Sequence, residues 1–474
     1  MAAYMNGTGA RAKAPLAASL MRTAVVVGAL TATVKIASLL KDTLVAQYFG
    51  NGAALDAFLL ALVVPSFLIS VAAGTLPSAL TPVYISVRER DGARAAHDLA
   101  KAVLASTYRW IGLLSVFAAL FSLGYGLLPR TALANDTVRA LPWLALALAP
   151  YTFLQGACAA WSGMLAAEGE FRVSVLAPIA QPLVMAAALW LLGSSGSPAI
   201  LAGGLLGGTV VQGVLLERAL AKRGIAVLVW RIPTFVDRQA LMRVRQQYAP
   251  AVASTMLMSA TTLIDQSMAT ALPSGSVSAL GYAAKLSALV VGVGSMALST
   301  TLLPALSLHV ARREWRQLRG VERRVASIVV GITLPLTVAL IWFSVPIVRL
   351  LFERGAFTAT ESTSVAAIQS AYLLQIPVHL LGIVYVRLAS ALEANRLLTV
   401  GSAVNLVANI VLNVVFMRWY GAKGIALSTA CVYAVSCGYL VWAARRQLAL
   451  REREVVNIPS PEHRPVEVPC ASAA

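Results

Sequence analysis

The feature that most limits this fold is a set of twelve apolar stretches, each near or above 20 residues, strung along a chain of 474. They lie at about 21–47, 54–84, 104–128, 140–166, 173–193, 198–216, 248–271, 277–307, 325–351, 363–391, 398–417 and 424–444. A helix crossing the hydrocarbon core needs about 20 residues of this kind. The longer stretches predict tilted, kinked or protruding helices. The chain therefore reads as an all-α polytopic membrane protein with about twelve spans. Only 12% of its residues are charged, against about 25% in soluble chains, which excludes a soluble globular protein.

Lysine and arginine set the topology, because cytoplasmic loops hold an excess of both. With the N-terminus in the cytoplasm, 27 of the 38 basic residues fall in cytoplasmic segments, 5 on the other side and 6 within spans. The bias alternates loop by loop and places both termini in the cytoplasm. It also accounts for the net charge of +18 without a nucleic-acid partner.

The longest cytoplasmic connection, 217–247, divides the spans six and six. The expected organisation is an N-terminal segment (1–20), an N-terminal six-helix lobe (21–216), the linker (217–247), a C-terminal six-helix lobe (248–446) and a polar, disordered tail (447–474). Within the linker, WRIPTFVDRQALMRVRQQY is basic and partly amphipathic. It fits an interfacial helix or a solvated basic connection.

The halves look related. Offset by 222 residues, SALTPVYISVRER (78–90) resembles TLLPALSLHVARR (301–313), with Pro82 over Pro304. Each closes its half's second span and leads into a basic loop. Both halves start at the cytoplasm, so the repeat is a parallel pseudo-twofold about the membrane normal. Such repeats place substrate sites between the halves, around a central cavity.

Charges inside the spans point to what the cavity holds. A charge at the bilayer centre costs at least about 2.5–3.5 kcal/mol, so such residues face partners or water. Lys35, Lys41, Asp42 and Asp56 lie in or beside the first two spans, Lys285 in the eighth and Arg387 in the tenth. Lys35 and Asp42, seven apart, share a helical face. Pro65, Gly74 and Pro77 interrupt the second span, as in helices that line a pathway. The set predicts a cationic cavity for an anion such as a phosphate or pyrophosphate, which lysine binds as a point charge and arginine through a fork. The plainer alternative for any one lysine is snorkelling, or pairing of Lys41 with Asp56. Asp265 is a lone carboxylate in the seventh span: a hydrogen-bonded carboxyl, or a cation or proton site. Asn405 and Asn409, one turn apart, can offer two carbonyl oxygens to a hard cation or act as polar glue between helices.

No catalytic constellation is visible, so an enzyme is not expected. There is no phosphate-cradling glycine loop, and the four cysteines and four histidines lack metal-ligand spacing.

Several segments carry a family resemblance. LFERGAFT (351–358), KDTLVAQYFGNGAALDAF (41–58), PSGSVSALGYAAKL (273–286), LLPALS (302–307) and QIPVHLLGIVYVRLASALEANR (375–396) occur in order along nearly the whole chain. They resemble signatures of the MurJ/MviN family, within the superfamily of multidrug, oligosaccharidyl-lipid and polysaccharide exporters. The resemblance implies two lobes with alternating access in a bacterial inner membrane. It also implies an undecaprenyl-diphosphate-linked saccharide as substrate, either lipid II or an exopolysaccharide unit. Membrane lipids and cell-envelope glycan-synthesis enzymes would be its other partners. By match, Lys35, Lys41, Lys285 and Arg387 would hold the diphosphate, and Asp56 would orient Lys41. Asp265, Asn405, Asn409 and Thr429 match a sodium site of some members, so Na+ or H+ is the expected coupling ion and no other cofactor is expected. The chain departs from the family in three lysines at arginine positions, and in Ile69 and Ala73 where basic and acidic residues stand. Many members also carry fourteen spans. Two rival readings give the basic lining less to do: a cation-coupled drug exporter, and a non-transporting scaffold for glycan synthesis.

Overall fold

The computed structural model describes residues 8–126, 135–193, 196–225, 227, 237–392 and 394–456. The regular elements among them are all helical. In chain order they are α1 (Thr8–Phe49), α2 (Ala53–Ala72), α3 (Leu76–Gly126), α4 (Asn135–Ala167), α5 (Phe171–Leu176) and, after a 3-10 turn, α6 (Ala180–Leu192). There follow α7 (Ala199–Ala221), α8 (Arg238–Ala269), α9 (Ser276–Ala311), α10 (Trp315–Trp342), α11 (Ser344–Phe352), α12 (Ala359–Leu373), α13 (Gln375–Ala391) and α14 (Asn395–Val456).

Among the described residues, nine helical stretches are long and apolar enough to cross a membrane. The difference from twelve has two sources. The eleventh and twelfth expected spans form one helical stretch in α14, broken only at Gly421 (φ 56°, ψ −134°). The first and seventh, α1 and α8, are outside the nine; α1 carries Lys35, Lys41 and Asp42, and α8 opens on Arg238, Arg243 and Arg245. The second span breaks where expected: α2 ends at Ala72 and α3 starts at Leu76, while Pro65 stays inside α2. A Cβ on Gly74 would stand 2.7 Å from the Ser70 carbonyl oxygen, so the break tolerates no side chain there.

Two expectations are corrected. Residues 238–248 form no separate interfacial helix; they are the first turns of α8. Their stripe Ala240, Val244 and Tyr248, spaced by four and hence on one face, packs into the N-terminal core with Val83 and Leu220. Residues 230–236 of that stretch lie outside the described residues. The tail is helical from 447 to Val456, because α14 continues and Glu452 accepts from Arg319 on α10; 457–474 lie outside the described residues.

In the N-terminal half α4 packs against α2, α3 and α7; in the C-terminal half α13 packs against α9, α10 and α14. Between the halves, α8 lies on α2 and α3, and α9 lies on α1 and α2. The outer surface is apolar. Trp143, Trp190, Trp342 and Trp419, each three-quarters or more exposed, all sit near the end where α1 turns into α2, like an aromatic belt at a membrane–water boundary.

Asp237 caps α8 outside the spans. Its carboxylate accepts from the Gln239 N–H at 2.8 Å and pairs with Arg90 at 3.0 Å. The Ala240 and Gln239 backbone amides and Arg90 hold it below the usual carboxylate range. A depressed carboxyl stabilises above its unfolded value and loses that contribution as pH falls through the folded one. Asp237→Ala is expected to cost about 1 kcal/mol, read as a lower melting temperature in detergent whose deficit shrinks on acidification.

Candidate functional site

Asp42 is the pivot of the basic cluster. It is 5% exposed and lies on α1, one residue from Lys41, whose Nζ stands 2.5 Å from its Oδ1. Lys285, on α9 of the other half, places its Nζ 2.7 Å from the second oxygen. Lys35 lies seven residues back on the same face of α1. It lines a cavity of about 240 Å³ with Ser38, Asp42, Lys285 and Gln369, and has no ion pair among the described residues. Lysines from both halves thus converge with three positive charges to one negative. The expected pairing of Lys41 with Asp56 is corrected: Asp42 takes that place.

Asp56 does something else. Buried at 4% exposure, it accepts from the backbone N–H of Gly275 at 2.6 Å and of Ser278 at 2.7 Å. An α2 carboxylate therefore caps the N-terminus of α9, where an anion is favoured by the orphan amides and the helix dipole. The surrounding loops lock onto one another. Ser278 Oγ donates to Asn51 Oδ1 at 2.5 Å, the Asn51 N–H donates to Glu361 at 2.9 Å, and the Ala356 N–H donates to the Gln47 carbonyl at 2.8 Å. Gly275 and Gly355 both have positive φ, and a Cβ there would stand 2.6 Å from the Asn51 oxygen and 2.4 Å from the Gln47 oxygen. This explains LFERGAFT physically. Phe352 and Phe357 are buried against Tyr282, with centroids 5.0 and 5.4 Å away, and Thr358 with Glu361 forms the capping box of α12. The motif is a clasp between the halves.

A second cavity, about 420 Å³, is lined by Asp265, His379, Asn405, Asn409, Thr429 and Tyr433 among others. Asp265 accepts from Asn409 at 2.9 Å and from Asn413 at 2.6 Å. The Oδ1 atoms of Asn405 and Asn409 are buried without a hydrogen-bond partner among the described residues. Unpaired buried carbonyl oxygens beside a carboxylate and the Thr429 hydroxyl are a donor set that suits a hard cation. Asn413 was not anticipated, although SAVNLVANIVLN repeats asparagine every four residues and already pointed to it.

Arg387 is not brought to the lysine cavity. Its guanidinium donates to Ser299 Oγ of α9 at 2.8 and 3.2 Å.

Comparison with known proteins gives the fold and the family. A family model described as "Lipid II flippase MurJ" matches residues 45–461. A solved structure described as lipid II flippase MurJ in an inward closed conformation superposes with TM-score 0.74 over 91% of both chains at 20% identity. An inward-facing MATE-family multidrug transporter of the MOP superfamily superposes with TM-score 0.70 over 90% of this chain and 99% of its own, at 12% identity. The fold is thus the polytopic helical fold that MurJ and MATE-family transporters share. Within it, the chain belongs to the MurJ family. A curated relative from Rhizobium meliloti (strain 1021), a probable lipid II flippase MurJ, is 26% identical over 417 residues, covering 86% of this chain and 77% of the relative.

Proposed function

We propose that this protein flips a polyprenyl-diphosphate-linked saccharide, lipid II or an exopolysaccharide unit, from the cytoplasmic to the periplasmic leaflet. The observation that carries the reading is the pairing of Lys41 and Lys285, one from each half, with the single carboxylate Asp42, beside a cavity that Lys35 also lines. A diphosphate outcompetes Asp42 for these cations, because it offers more acceptor oxygens and more charge. The basic-loop asymmetry supports a topology with the Asp56 clasp on the periplasmic side and both termini in the cytoplasm of a bacterial inner membrane. Alternating access then consists of opening the clasp while the two six-helix lobes close at the other end. An inside-negative potential favours outward passage by about 2.3 kcal/mol per charge per 100 mV. The drug-exporter and scaffold readings give no role to a carboxylate shared by lysines of two halves.

The test is headgroup accessibility of a labelled polyprenyl-diphosphate saccharide in proteoliposomes. The expected result is redistribution between leaflets; a distribution matching empty vesicles under both ion and voltage gradients would refute the proposal.

A coupling cation, Na+ or H+, fits the second cavity, where Asp265, Asn405, Asn409 and Thr429, joined by Asn413, would hold it. A bound cation there would offset the Asp265 charge and draw α8 toward α14. Asp265→Asn is expected to abolish the sodium and pH dependence of flux while leaving diphosphate binding unchanged. Flux that keeps its full ion dependence would remove Asp265 from this role.

A further inference from the structure

We propose that α9 carries three basic stations along one face and that Arg387 with Ser299 is the first of them, an arrival site for the lipid diphosphate distinct from the lysine cavity. The inference rests on the flippase reading and adds a path to it.

Positions 285, 292 and 299 of α9 are seven residues apart. Seven residues make nearly two full turns, so the three positions share a face. At 1.5 Å per residue, each step is about 10.5 Å and the whole about 21 Å. A different helix supplies the cation at each of the last two positions. Lys285 belongs to α9 itself. At Gly292 the absent side chain admits Lys35 from α1, whose Nζ lies 3.5 Å from where a Cβ would stand. At Ser299 the cation is Arg387 from α13.

Arg387 is half-buried within a helix long and apolar enough to span the membrane. Its hydrogen-bond partner is a neutral hydroxyl, and it has no ion pair among the described residues. The Ser299 contact uses two of the guanidinium's five N–H donors. The rest suit an anion that can take a fork. Lys285 and Lys41 differ: both are already satisfied by Asp42. The unpaired end of the ladder lies toward the α9 C-terminus, the cytoplasmic side in the proposed topology, where the substrate starts. With the first and third positions about 21 Å apart along the helix, one diphosphate does not reach both. The ladder therefore hands the anion from Arg387 to Lys35, then to Lys285, where Asp42 is displaced.

The experiment measures binding of inorganic pyrophosphate and of farnesyl diphosphate to the full-length protein in zwitterionic nanodiscs, by calorimetry. The variants are Arg387→Gln, Arg387→Lys, and Lys35→Gln combined with Lys285→Gln. Two classes of site are expected for both ligands. Arg387→Gln should weaken one class about tenfold or more and leave the other. The lysine variant should do the converse, and Arg387→Lys should restore most of the first class. A single class lost equally in both variants would overturn the ladder while leaving the flippase reading intact. No change in Arg387→Gln would also overturn it. Pyrophosphate bound at Arg387 that farnesyl diphosphate cannot displace would mark a free-phosphate site and overturn the lipid assignment. If the lysine variant binds both ligands normally, the flippase reading itself fails.

Discussion

Changing Lys35 and Lys285 together to glutamine is expected to stop headgroup translocation while the chain stays folded and inserted. Each lysine offers a charge-assisted hydrogen bond to a phosphate oxygen, an interaction of about 1.5–3 kcal/mol. Every 1.4 kcal/mol is about tenfold in affinity. Two independent losses would lower diphosphate affinity by about 10² to 10⁴. The measured effect will fall toward the lower figure, because contacts sharing one ligand are not additive. Lys285→Arg should keep activity, since it preserves the charge and adds a fork. Lys41→Gln should do less than Lys285→Gln: Lys41 reaches Asp42 from its own helix, and Asp42 keeps Lys285 when Lys41 is lost. Leaflet redistribution in proteoliposomes, with binding of a soluble diphosphate measured in parallel, checks all of these. A double variant that moves the headgroup at the unaltered rate would remove the lysine cavity from the mechanism.

Much of this was legible in the sequence, and the parts that were not share a cause. Hydropathy and basic-loop asymmetry are one-dimensional signals, so helices and the broken second span could be read directly. The i, i+7 relation of Lys35 and Asp42 was equally readable, because a single helix fixes it. The partner of Lys41 was not. Asp42, adjacent in sequence, points the wrong way in an ideal-helix projection, yet long lysine side chains reach across such offsets. Asp56 is expected to pair with or orient Lys41, the basic residue nearest to it in the sequence. Its actual partners are backbone amides more than 200 residues away, and amides leave no mark on residue identity. The same holds for Gly355 and Gly275, whose necessity appears only when the opposing carbonyls are in place. The asparagine run on α14 shows the reverse: its periodicity was plain, and the orphaned oxygens give that periodicity a chemical meaning. Arg387 is grouped with the lysines as a charge inside a span, but a span carries no depth, and the Ser299 contact sets it two heptads from Lys285 along α9.

Replacing Asp56 with alanine is expected to unlatch the two halves at the clasp. Its carboxylate satisfies two buried amides at the α9 N-terminus, and charge-assisted bonds of this kind contribute about 1.5–3 kcal/mol each. With them gone, Gly275 and Ser278 N–H groups would be left buried and unpaired, a further reason for the loops to separate and take up water. A loss of about 3 kcal/mol changes the ratio of closed to open states by more than about a hundredfold. A protein poised near balance would then rest almost wholly open on that side. The isosteric Asp56→Asn should fall between, since it keeps one acceptor oxygen but neither the charge nor the second bond. Gly355→Val should mimic the alanine variant by a different route: its side chain would collide with the Gln47 carbonyl at a backbone conformation that β-branched residues avoid. The readout is thiol labelling of a cysteine placed at Val277, buried beside the clasp, fast in the unlatched variants and slow in the parent. Diphosphate affinity at the lysine cavity is the control that separates latch from ligand. If Asp56 held substrate instead, Asp56→Ala would weaken diphosphate binding and leave labelling slow. If it is the latch, labelling accelerates and affinity for the soluble diphosphate holds.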